Sequence, residues 1–113
     1  MIDAYGNGGF RFAGMSHIGS VLILASGIYA WRPRLVHDLT AEDFSRVLVE
    51  AGLVNFLLLG TGKTVVPPPP PIRQLFSGGL LSLEIMDTGA AVRTYNVLLA
   101  EGRPPAAALI AVD

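Results

Sequence analysis

Three runs without a single charged residue decide most of what this chain can become: VLILA at 21–25, VNFLLLG at 54–60 and AAALIAV at 106–112. A transmembrane helix needs roughly 20 apolar residues in a row, so none of the three is long enough to span a bilayer as a helix. Each instead has the length of a strand, and a strand apolar on consecutive residues belongs in the interior of a fold. The mean hydropathy of +0.52 then reflects a buried core. At 113 residues the chain has room for one domain with such a core and not for two.

Around these runs the pattern predicts an N-terminal antiparallel meander over 1–33 and an α/β portion over 34–113. GFRFAG (9–14) alternates Phe10 and Phe12 with Arg11, as a half-buried strand does. SVLILASG (20–27) reads as a central strand, and IYAWRP (28–33) as a short one ended by Pro33. The period then changes. Phe44, Val47, Leu48 and Ala51 make one helical stripe, with Thr40 as N-cap, Glu42 and Asp43 in the first turn and Gly52 as the stop. Next come a strand (54–60), a short helix (71–79) with Pro71 near its start, and a strand (80–86). A helix (88–102) with Ala91, Tyr95, Leu98 and Leu99 on one side and a strand (106–112) complete the chain. Strands alternating with helices over short connections imply right-handed crossovers onto a mixed, mostly parallel sheet.

The formal charge of −1 without a basic cluster argues against a nucleic-acid partner. With no cysteine there is neither a disulfide nor a thiolate ligand or nucleophile. His17 and His37 are too isolated for a metal site, and Ser16, Ser20 and Ser26 lack a nucleophile elbow. The opening MIDAYGNGGF resembles neither a secretory signal nor a transit peptide, so a cytoplasmic location is expected.

Two stretches sound like chemistry. LLLGTGKT (57–64) approaches a phosphate-binding loop, but the first glycine of that motif falls on Leu57, and Lys63 is followed by TVVPPPPP. Prolines neither begin a helix after the lysine nor donate amides, so no anion cradle forms. The glycines are read as a tight turn with Lys63 in solvent, and the five prolines (67–71) as a rigid polyproline spacer of ~15 Å. MDTGAAVRTYN (86–96) contains the Asp-Thr-Gly triplet of aspartic proteases, yet helical spacing follows it. Asp87 or Thr88 is better read as the cap of that helix. Tyr95 lies on its apolar face, and Arg93 and Asn96 are neighbours on the other flank. If the strands at 54–60 and 80–86 run parallel, the two turns share one edge, where α/β sheets hold their ligands. Thr61, Lys63, Asp87, Thr88 and Arg93 are then expected to line a small polar cleft suited to binding more than to reaction.

Taken together, GGFRFAG, GSVLI, Trp31, LLLGTGK and above all MDTGAAVRTYNVLLAEGRP resemble the family known as domain of unknown function 498, over nearly the whole chain. The resemblance implies an α/β fold with a mixed central sheet of about five strands, no demonstrated catalysis, and, through its mitochondrial members, assembly of respiratory complex I. The positions that match are Gly60, Thr61 and Gly62 in the first turn, and Asp87, Thr88, Gly89, Arg93, Tyr95 and Asn96 in the block. Val92 stands where many relatives carry cysteine, and the proline run is longer than theirs. The absence of a transit peptide favours a bacterial member, in the cytoplasm or peripheral to the inner membrane. The function expected is a non-enzymatic assembly domain with a protein partner and no cofactor. Two other readings are a small-molecule binder or weak enzyme using the cleft, and a homo-oligomeric structural domain.

Overall fold

The computed structural model describes residues 1–79 and 81–113. Three short strands come first: β1 (Ile2–Gly6), β2 (Gly9–Phe12) and β3 (Met15–Ile18). They form a separate antiparallel sheet in the order β1-β2-β3, an N-terminal meander as expected but made of other strands: of the segments expected in it only 9–14 takes part, while 20–27 and 28–33 supply strands of the larger sheet. Its first hairpin turns on Asn7 and Gly8, both at positive φ (52° and 78°), as a turn matched to strand twist requires. Gly19, at φ +92°, then redirects the chain into a second sheet.

That sheet receives β4 (Ser20–Leu24), β5 (Gly27–Trp31), β6 (Phe56–Gly60), β7 (Ser82–Met86) and β8 (Ala106–Leu109), ordered β5-β4-β8-β6-β7. The β5–β4 and β4–β8 pairings are antiparallel, and β8–β6 and β6–β7 are parallel. The strand expected from residue 80 begins outside the described residues at Leu80, and its described part is β7. All three apolar runs lie on the inner strands, and the reason is the covering. Leu22, Leu24, Leu57, Leu59, Ala106 and Ala108 face one buried cluster, while Val21, Ile23, Leu58, Ala107 and Leu109 face another. With both faces covered, alternation has no value and continuous apolar sequence results.

The first cluster is covered by α1 (Ser45–Val49), α2 (Pro70–Phe76) and the loops beside them. The second is covered by α3 (Thr88–Ala100) together with Phe10, Phe12 and Ile2 of the small sheet. Asn96 fastens that sheet to α3: its amide accepts from the Ile2 amide (2.8 Å) and donates to the Ile2 carbonyl (2.7 Å). The five prolines divide. Pro69 is extended at φ −56°, ψ 147°, while Pro70 and Pro71 open α2, where a missing N–H costs nothing.

The helix expected over 40–52 is corrected. It is a 3-10 turn (Ala41–Phe44), the single α turn α1, and a second 3-10 turn (Ala51–Leu53). Phe44, Val47 and Ala51 are buried as the stripe requires, but Leu48 is exposed. Asp43 explains the break. Its carbonyl accepts from Trp31 Nε1 (2.9 Å) instead of from the next turn. Its carboxylate accepts from Arg32 Nε (2.9 Å), Arg32 Nη2 (2.6 Å) and the Thr40 amide (2.9 Å). Trp31, held this way, stands edge-on to Phe44, which stands edge-on to Phe76.

Burial pushes the Asp43 carboxyl up, but the hydrogen bonds from Arg32 and Thr40 and the Arg32 charge outweigh it, and its pKa lies below the usual carboxylate value. A lowered folded pKa stabilises above the unfolded pKa, and the contribution fades as pH falls through the folded value. Asp43→Asn is therefore expected to cost about 1–2 kcal/mol at neutral pH. Denaturant melts of both proteins should converge in strong acid; a constant difference would contradict the assignment.

Candidate functional site

Parallel pairing of β6 with β7 and β8 brings three strand ends to one rim. Gly60 stands opposite Met86 on one side and Leu109 on the other. The two chemical-looking turns do leave the same edge, and α3 starts directly after β7. Gly60, Thr61, Gly62, Asp87, Thr88 and Gly89 are thus brought together.

What they do there is bond to one another. Thr88 is wholly buried. Its Oγ1 donates to the Ile110 carbonyl (2.7 Å) and accepts from the Gly62 amide (2.9 Å), and its own amide donates to the Gly62 carbonyl (2.9 Å). One hydroxyl therefore joins the ends of β6 and β8 to the first turn of α3. Thr61 is also buried. Its amide donates to the Met86 carbonyl (2.9 Å), and its hydroxyl donates to the Thr64 carbonyl (2.6 Å) and accepts from the Val66 amide (3.1 Å). Asp87 is the N-cap, its Oδ1 accepting from the Ala90 amide (2.8 Å). This is the alternative to a catalytic carboxylate. The amides of Thr61 and Gly62, which a phosphate loop would aim at its ligand, already have partners.

The glycines are required by closeness. A Cβ on Gly60 would lie 3.0 Å from both Thr88 Oγ1 and Leu109 Cδ2, and 3.1 Å from Thr88 Cα. A Cβ on Gly89 would collide with the Tyr5 hydroxyl, so the β1 tyrosine lies across the start of α3. Lys63 and Arg93 are exposed. Asn96 is occupied by Ile2, and Tyr95 faces away from this rim.

Tyr95 points to a feature the sequence pattern did not announce. A hollow of about 490 Å³ opens at the opposite rim, where β6 and β8 begin and α3 ends, lined by Tyr95, Arg103, Leu24, Val54 and Pro105 among others. Only the Gly102-Arg103-Pro104-Pro105 bend after α3 hinted that the chain leaves room there. Tyr95 is nearly buried, and this burial raises its phenol pKa.

Thr88→Val removes the hydroxyl and strands a buried amide and a buried carbonyl. Each such group costs about 1–3 kcal/mol, so a loss of about 2–4 kcal/mol is expected in denaturant unfolding, with Thr88→Ser retaining most of the stability. Equal stability of Thr88→Val and wild type would contradict the joint.

The chain is 38% identical over 110 residues to an uncharacterised protein of Rhodobacter capsulatus, covering 96% of this chain and 82% of that one. It is 30% identical over 109 residues to NADH dehydrogenase [ubiquinone] 1 alpha subcomplex assembly factor 3 of Mus musculus, covering 96% of this chain. The chain spans 59% of that protein's length. Among solved structures, one described as an outer membrane protein from Bartonella henselae is 52% identical with a TM-score of 0.92, over 99% of this chain and 94% of that one. Residues 2–110 match the family model described as Protein of unknown function (DUF498/DUF598), and the chain belongs to that family.

Proposed function

We propose that this domain works by binding a protein partner, in the assembly of a membrane-bound respiratory complex, without catalysing a reaction. The observation that carries the reading is the relation to animal proteins named as complex I assembly factors, along almost the whole of this chain. Two physical features support it. The motif that most resembles chemistry, Asp87-Thr88-Gly89 with Gly60-Thr61-Gly62, has its hydroxyls and amides committed to joining strands and helix. The segment around α1 turns Leu48, Val49 and Leu53 outward, with Val49 at 85% and Leu53 at 68% exposure. Apolar side chains grouped in this way on a surface suit a partner's apolar face.

On this reading the domain acts at the cytoplasmic side of the inner membrane; no helix among the described residues is long and apolar enough to cross it. The test is capture of the tagged full-length protein from fractionated, detergent-solubilised native membranes. Subunits of the NADH-oxidising complex are expected to co-purify with the inner-membrane fraction. Val49→Asp with Leu53→Asp, both exposed, is expected to reduce the yield about tenfold or more, a change of at least ~1.4 kcal/mol in binding, at unchanged melting temperature. Recovery of background proteins alone, or residence in the outer membrane fraction, would overturn the proposal.

A further inference from the structure

β7 ends the five-stranded sheet and pairs on one side, with β6. Its Met86 carbonyl accepts from the Thr61 amide, which continues β6. Successive residues of a strand turn their backbone groups to alternate sides. Ser82, Glu84 and Met86 therefore direct theirs to β6, and Leu83 and Ile85 direct their N–H and C=O groups to the open edge. The pairing with β6 runs from Ser82 to Met86 without a bulge, and β7 holds neither proline nor lysine. Of the devices that commonly blunt an edge it carries a single charge, Glu84. Beside this edge lies a groove of about 340 Å³, with Arg73, Phe76 and Ser77 on one side and residues 82–85 of β7 on the other. Open strand backbone next to a groove is the arrangement that takes up an extended peptide by strand addition.

We infer that the β7 edge binds an extended segment of another protein, added antiparallel, with a lysine or arginine opposite Glu84 and apolar side chains opposite Leu83 and Ile85. Antiparallel addition is the slightly stronger pairing, and it lets the residues opposite Leu83 and Ile85 exchange both backbone hydrogen bonds with them. Side-chain placement selects the partner. Leu83 and Ile85 pack toward the cluster that contains Phe76, and Met86 toward the other cluster. Glu84 therefore stands on the face away from α2. Arg73 is the charged residue on the α2 side of the groove. A cation is attracted on the Glu84 face and repelled on the α2 face, which matches a strand with one cation between two apolar residues. A second copy of this chain fits poorly. The antiparallel register that overlaps all of β7 sets Glu84 against its own copy, and like charges directly opposite destabilise. Registers centred on Leu83 or Ile85 pair only residues 82–84 or 84–86 of β7. The site is separate from the apolar group at α1 and does not rest on a role in respiratory-complex assembly.

The experiment titrates the isotope-labelled full-length chain with the peptide acetyl-Ser-Thr-Val-Lys-Val-Thr-Ser-amide, read by amide NMR shifts and hydrogen exchange. Two control peptides carry glutamate in place of the lysine, or N-methyl groups on both valines. Before peptide is added, the Leu83 and Ile85 amides are expected to exchange as open groups while the Glu84 amide is protected. At saturation, shifts are expected along β7 and at Phe76, and exchange at Leu83 and Ile85 is expected to slow about tenfold or more. N-methylation keeps the side chains and removes edge hydrogen bonds, so affinity is expected to fall about tenfold or more. The lysine peptide is expected to bind about threefold or more tighter than the glutamate peptide. Glu84 is exposed, and Glu84→Lys is expected to invert that preference at unchanged melting temperature. Overturning results are protected Leu83 and Ile85 amides in the dilute free chain, or shifts of β7 that depend on protein concentration without peptide, which would make a second copy the occupant. No saturable shift with the lysine peptide, equal binding of the N-methylated one, or a preference unchanged by Glu84→Lys would also overturn it.

Discussion

Thr88 Oγ1 is the atom on which the arrangement of the parallel half of the sheet depends. A threonine hydroxyl has one proton to give and lone pairs to accept with, and here both functions are used across long separations, to Ile110 and from Gly62. The same residue is the first of α3, whose inner face carries Ala91, Val92 and Tyr95 into the buried cluster. The direction of that helix, the ends of β6 and β8, and the placement of the small N-terminal sheet through Asn96 and Tyr5 therefore share one origin. Gly60 follows as a consequence, because a Cβ there would lie only 3.0 Å from Thr88 Oγ1 and 3.1 Å from Thr88 Cα.

This gives a physical account of why Gly-Thr-Gly and Asp-Thr-Gly resemble catalytic motifs without needing to act as such. A tight turn at the end of a buried strand needs small residues and short polar side chains that satisfy backbone groups. Nucleotide loops and protease triplets have the same requirements at the same place in a sheet, and differ in leaving polar atoms free for a substrate. Here the groups are spent internally.

Much of this was legible in the sequence. The unbroken apolar runs located the inner strands, the helical spacing after Asp87 located α3, and the shared edge of the two turns followed from parallel pairing. Other features depend on contacts that no spacing encodes. The bridge from Thr88 to residues 22 and 26 positions away is invisible in a linear pattern, as is the capture of Asp43 by Trp31 and Arg32 that breaks the helix expected there. Tyr95 and Asn96 share the family block with Asp87 and Thr88. About two turns of α3 further along, the helix carries them to another part of the molecule. β1 is a different matter: it went unread, although Asn7-Gly8 is a strong hairpin signal that could have marked a strand on each side of the turn.

Native-state hydrogen exchange at the Gly62 amide tests most directly the claim that the rim is a joint and not a vacant site. If Thr88 holds it as described, that amide exchanges only with global unfolding, alongside the amides of β6 and β8. Exchange at the rate of an open loop, while the central strands stay protected, would contradict the account.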